Sequence, residues 1–105
     1  MSVTHLNKES FDAMTKEGLS MVDFWATWCM PCQALLPVIE ELGQQLEGTV
    51  KVGKVNVDEN KDLARQFQVM SIPTVIFFKD GKEVERVVGA YPKNAYLQKV
   101  EALKK

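Results

Sequence analysis

The chain's only two cysteines stand three positions apart, in FWATWCMPCQ, residues 24–33. Two thiols at that spacing can pass a disulfide between themselves and an outside partner. A long apolar run ends just before them and a helical pattern starts just after, so Cys29 falls at a helix start. With Cys29 as the cap, Cys32 becomes the third helical residue, and the i,i+3 relation sets the two sulfurs side by side. Unpaired N–H groups and the positive end of the helix dipole favour a thiolate on Cys29. Pro31 suits the first turn, where its missing N–H costs nothing. Cys29 is therefore expected to be the exposed nucleophile, and Cys32, one turn in, the shielded resolving thiol.

Three other uses of the pair are weaker. As a staple the bridge constrains only four residues, a gain of roughly 2 kcal/mol. A zinc site wants about four ligands, and His5 is the one other usual soft ligand, far away in the chain. Two inert buried cysteines do not explain the helix-start position. Redox chemistry is the reading that uses every feature.

The elements that must position the pair follow from periodicity. Val3 to Leu6 reads as a short strand, and Asn7 or Lys8 opens a helix to about Lys16 that buries Phe11 and Met14 and stops at Gly18. Leu19 to Ala26 is nearly all apolar, as in a central strand covered on both faces. Cys29 to about Glu47 is a helix with Leu35, Val38, Ile39, Leu42 and Leu46 at helical spacing. Pro37, inside that pattern, is expected to kink it and free the carbonyl of Gln33. Thr49 to Val57 reads as a second central strand, and Asp58 as the cap of a helix to about Phe67. Thr74 to Lys79 and Lys82 to Val88 flank Asp80-Gly81, a tight hairpin turn. Alternating charges in the second hairpin strand suit an edge. A helix from Pro92 to Leu103, burying Tyr96, Val100 and Leu103, closes the chain. The order β-α-β-α-β-α-β-β-α implies right-handed parallel crossovers and then an antiparallel hairpin. The fold class is α/β, with a mixed central sheet and helices on both faces.

Two charges interrupt these strands. Asp23 lies in an apolar run, where a lone carboxylate is costly and its pKa should rise; it is a hydrogen-bonded structural acid or a working one. Lys54 is a second charge in a central strand, either snorkelling to water or placed near Asp23.

Bulk properties narrow the function. At 105 residues the chain is the size of one domain. Hydrophobic residues make up 46% and charged residues 26%, with a formal net charge of −1. That balance gives no electrostatic case for nucleic acid or a membrane surface. No stretch approaches the length of a membrane span, and MSVTHLNKES lacks a signal-peptide pattern. The cytosol is the expected compartment.

Along essentially its whole length the sequence resembles the thioredoxin family. The likeness rests on VDFWATWC (22–29), Pro31-Cys32, Pro37, KVNVD (54–58), SIPT (71–74), FKDG (78–81) and VGA (88–90). It implies a single thioredoxin domain over 1–105, a five-stranded mixed sheet and four flanking helices. It makes Asp23 the buried acid/base that moves the proton of Cys32. It makes the Ile72-Pro73 bond cis, packed against the disulfide, leaving the Ser71–Ile72 backbone free to pair with an extended substrate. Gly89 then allows close approach. Trp28, Met30, Pro31, Ile72, Pro73 and Ala90 form an apolar rim for a partner protein, while Trp25 gives support.

The sequence departs from the family pattern in three places. Met30 stands where the family usually has glycine, Gln33 where a lysine is common, and Ser71 where a glycine is frequent. The resemblance implies a protein-disulfide reductase that works as an electron carrier, with no cofactor or metal beyond the Cys29–Cys32 disulfide. Its implied partners are thioredoxin reductase, linked to NADPH or to ferredoxin, and disulfide proteins such as ribonucleotide reductase, peroxiredoxin and methionine sulfoxide reductase. A monomer is expected. Two alternatives are an oxidase or isomerase of protein disulfides, and a non-catalytic binding subunit.

Overall fold

The apolar run before the cysteines forms the centre of a sheet, because only a strand paired on both edges and covered on both faces can satisfy so many apolar residues. The computed structural model describes residues 3–105; Met1 and Ser2, part of the N-terminal stretch read above for a leader, lie outside the described residues. The elements run β1 (Val3–His5), α1 (Lys8–Thr15), β2 (Leu19–Trp25), α2 (Met30–Gln45), β3 (Lys51–Asn56), α3 (Lys61–Gln66), β4 (Thr74–Lys79), β5 (Lys82–Val88) and α4 (Lys93–Leu103). This is the expected order.

The strands form one five-stranded sheet in the order β1-β3-β2-β4-β5. β1, β3 and β2 are parallel, and β4 and β5 add antiparallel neighbours. The order puts β2 in the middle, so the segment that leads into Cys29 is the most enclosed of the five. Alternation along β2 divides its side chains between two faces. Met21 packs with Val52, Val75 and Phe77 against Leu35, Ile39, Tyr96 and Val100 of α2 and α4. Val22 and Phe24 pack on the other face with Phe11, Leu63 and Phe78, under α1 and α3.

Local chemistry explains the boundaries. Asn7 caps α1 through a reciprocal pair with Ser10, and the left-handed glycines Gly18 and Gly81 close the turns at the bottom of the sheet. α2 continues through Pro37 to Gln45, short of the expected Glu47, and Leu46 then folds back onto Leu42. Pro37 has no N–H for the Gln33 carbonyl, as expected.

Three expectations fail. Asp58 does not cap α3, which begins at Lys61 after Asn60. The Asn56 side chain accepts the N–H groups of Asp58 at 2.9 Å and Glu59 at 3.4 Å, and this local turn delays the helix. Met14 and Leu103 are half-buried rather than buried, each packed at the margin of its core cluster, Leu103 where α4 ends.

Candidate active site

β2 delivers Trp25 and Ala26 to the top of the sheet, where a turn closes with the Cys29 N–H donating to the Ala26 carbonyl at 3.3 Å. Cys29 then takes an extended conformation (φ −91°, ψ 109°) and is the N-cap of α2. Its sulfur accepts the Cys32 N–H at 3.3 Å, the bond a capping side chain makes to the third helical residue. The two cysteines are joined as a disulfide with Cα atoms 5.2 Å apart. Cys29 keeps 5% of its surface and Cys32 none, so Cys29, expected to be exposed, is instead nearly buried, packed with Trp25 and Ala26, and only the less enclosed of the two sulfurs. Pro31 occupies the first turn. Gln33 donates from Nε2 to the Thr27 carbonyl at 2.9 Å, tying the helix to the loop before it.

Around the sulfurs, Trp25, Ala26 and the cysteines form a small apolar cluster completed by Leu36, Val57 and Ile72. The Ile72-Pro73 bond is cis, and the Ile72 carbonyl oxygen lies 3.8 Å from the Cys29 sulfur. Thr74 holds this loop by donating its hydroxyl to the Ser71 carbonyl at 2.6 Å. Gly89, in the left-handed region at φ +103°, donates its N–H to the Pro73 carbonyl at 2.8 Å. Tyr96, fully buried, bridges the 89–91 loop: its hydroxyl accepts the Tyr91 N–H at 3.2 Å and donates to the Gly89 carbonyl at 3.4 Å. Three separate segments, 27–33, 71–74 and 88–91, are thereby fastened around one disulfide.

The residues expected in the rim differ in exposure. Trp28 is 67% exposed and Met30 75%; Pro31, Ser71 and Ala90 are exposed, Ile72 and Gly89 half-buried. Pro73, expected in the apolar rim, is instead buried, because it enters β4 beneath the Gly89 loop it is bonded to. Met70 is 93% exposed beside this loop. Trp28 donates its Nε1–H to the Asp58 carboxylate at 2.8 Å. Asp58, expected to cap a helix, thus holds the exposed ring instead, and Asn56, two positions before it, is the one local hint.

Asp23 lies in the middle of β2, with no exposed surface and no hydrogen-bond partner for either oxygen. Burial pushes its pKa up to about 7, and the nearby Lys54 cation pulls the other way. Lys54 is its register partner across β2–β3. The Lys54 ammonium lies 5.4 Å over the Trp25 ring and pairs with Glu40, not Asp23, at 4.0 Å. Among the described residues, no group of three or more His, Cys, Asp or Glu side chains is arranged to hold a metal. No helix there is long and apolar enough to cross a membrane.

The chain is similar to known proteins in both sequence and fold. The thioredoxin family model matches residues 2–102. A thioredoxin of Staphylococcus saprophyticus is 45% identical over 101 residues, covering 96% of this chain and 97% of that one. One from Staphylococcus aureus is 47% identical over 93 residues, 89% of each. Among solved structures, a mutant thioredoxin from Halobacterium salinarum superposes with a TM-score of 0.89 at 36% identity, over 95% of this chain and 88% of that one. The thioredoxin of Malassezia sympodialis gives 0.88 at 32% identity, over 95% and 89%. Sequence and fold agree over nearly the full length, and this chain belongs to the thioredoxin family of disulfide oxidoreductases.

Proposed function

We propose that the chain is a general reductant of protein disulfides, and that Cys29 carries the attack. The observation that supports this most is the cap: one sulfur, still slightly exposed, receives an N–H at the positive end of a 16-residue helix. Those donors stabilise negative charge on that sulfur once it is reduced. The Cys29 thiolate attacks one sulfur of a substrate cystine, forming a mixed disulfide and expelling the other substrate sulfur as a thiolate. Asp23, ionised at that moment, takes the Cys32 proton, through water if the carboxylate does not reach the sulfur. The Cys32 thiolate then attacks the Cys29 sulfur and breaks the mixed disulfide. The substrate leaves reduced, its two thiolates taking one proton back from Asp23 and one from solvent, and Cys29–Cys32 is left oxidised. A pKa near neutrality fits a group that both gives and takes a proton.

In the same reading, Ser71 and Ile72 offer backbone to an extended substrate segment, Gly89 lets it approach, and Trp28, Met30, Pro31, Ile72 and Ala90 meet its side chains. Lys54 moderates Asp23. Membership of the family implies a thioredoxin reductase and disulfide-containing proteins as partners. We propose ribonucleotide reductase, peroxiredoxin and methionine sulfoxide reductase among the latter. We further propose one domain spanning 1–105, acting as a cytosolic monomer with the disulfide as its only redox group.

Equilibrating the pair against graded dithiol buffers, then alkylating and reading the mass shift, tests the direction of electron flow. A potential well below that of the glutathione pool is expected. A potential well above it would assign the chain to disulfide oxidation, with Met30 as the residue that moved it. Cys29→Ser is expected to abolish turnover and Cys32→Ser to accumulate the mixed disulfide; retained partner function in Cys29→Ser would point to a binding subunit.

A further inference from the structure

Three groups share the charge of Lys54. It is opposite Asp23 in the strand register, its ammonium lies over the Trp25 ring, and Glu40 Oε2 on α2 is 4.0 Å from it. Asp23 makes no such pair. The Lys54 side chain is only 13% exposed and that of Glu40 41%, so the contact lies at the edge of the sheet face, where screening by water is incomplete. We propose that Glu40 is a positioning residue that sets the protonation of Asp23, by holding Lys54 on the α2 side and withholding that cation from the buried carboxyl. This rests on the reading of Asp23 as the acid/base partner of Cys32.

The groups around Asp23 can be enumerated by element. β3 supplies Lys54, and α2 supplies Glu40, which pairs with it, and carries Cys32 in its first turn. α4 supplies Tyr96, whose hydroxyl is occupied by the 89–91 loop and whose own pKa is raised by burial and, to a smaller extent, by the Asp23 charge. β1 supplies His5, in register with Lys54 and 6.3 Å from the Trp25 ring. β4 places Val75 opposite Asp23. Within this set Lys54 is the cation that lowers the affinity of Asp23 for its proton, and Glu40 is the carboxylate that pairs with that cation. Removing the Glu40 charge frees Lys54 to move towards Asp23, which favours the ionised Asp23.

The test is a carbon-13 titration of the Asp23 carboxyl in the full-length protein, beside the pH profile of turnover on a protein disulfide. In Glu40→Gln the Asp23 midpoint is expected to fall by about half a pH unit or more. Glu41→Gln makes the same charge change one position on, where the partner is Lys93 at 4.0 Å, and is expected to move the midpoint far less. In a Lys54→Met background the Glu40→Gln shift should largely vanish. An unmoved midpoint in Glu40→Gln, or equal shifts in Glu40→Gln and Glu41→Gln, overturns the proposal. A midpoint that moves while the turnover profile does not supports Glu40 as the residue that positions Lys54, and overturns the acid/base reading of Asp23 instead.

Discussion

The two faces of the sheet are built from the same central strand and do opposite things. Under α1 and α3, β2 contributes Ser20, Val22 and Phe24, and the space is filled by an aromatic cluster. Phe78 meets Phe11 and Phe67 edge to face, each at 5.3 Å between ring centres. Under α2 and α4, the alternate residues of the strand are Met21, Asp23 and Trp25, and a carboxyl without a partner is buried among the apolar contacts. A one-residue change of face thus separates a region that gains stability from packing from one that gives some up. Chemistry explains the difference: a carboxyl must be kept away from water if its proton affinity is to approach neutrality.

The aromatic face should break in the ordinary way. Phe78→Ala removes a ring that is 1% exposed, and the expected loss is about 3–5 kcal/mol of unfolding free energy. Urea unfolding at pH 5 and at pH 8 should give the same loss, because the phenylalanines that form the cluster do not titrate. The turnover profile of the folded fraction should keep its midpoint. A loss that changes with pH would mean the two faces are coupled.

Asp23→Asn should break the other face in the opposite sense. In the folded chain Asp23 holds its proton up to about 7, against an ordinary value of 3.8. The folded state therefore binds more protons than the unfolded one between those limits, and stability falls as pH rises through that window. Above it the penalty is complete, on the order of 4 kcal/mol at most. Asp23→Asn abolishes the penalty, so its unfolding free energy should exceed that of the parent at pH 8 and approach it near pH 4. The same variant should turn over more slowly. A variant no more stable than the parent at pH 8 would show that the buried carboxyl is not destabilising.

Gly53 tests packing on the aromatic face from β3. A Cβ there would come within 2.5 Å of Leu6 Cδ1 and 3.1 Å of Met14 Cε. Gly53→Ala is expected to cost about 1–2 kcal/mol in urea unfolding, the strain of moving a buried leucine less the gain from a stiffer strand. The Asp23 midpoint, on the far face, should not move.

These differences are unequally legible in the residues. The Cys29–Cys32 pair, its helix start and the fold class are readable because each depends on near neighbours and on period. Asp23 is readable too, since a charge in an apolar run is conspicuous. What escapes depends on distant segments. The pairing of Lys54 with Glu40 joins β3 to α2, which no local rule connects. Pro73 is buried by the Gly89 loop, 16 positions further along, through a bond from the Gly89 N–H. Asp58 obeys the rule for a helix cap, yet the Asn56 side chain captures the N–H groups in front of it, and two residues of turn intervene.

Asp58 supplies the smallest test, because it lies where the two regions meet the surface. Its carboxylate accepts the Trp28 Nε1–H at 2.8 Å while the ring remains 67% exposed. Asp58→Ala removes the acceptor without burying an orphan, since water can replace it, so the stability loss should be about 1 kcal/mol or less. The larger consequence is expected in docking. A ring that is no longer held must be ordered by the substrate, at about 0.5–1.5 kcal/mol, which raises KM about twofold to tenfold and leaves kcat nearly unchanged. Steady-state turnover on a protein disulfide reads that split. A fall in kcat with KM intact would mean that Asp58 acts on the cysteines rather than on the surface that meets the substrate.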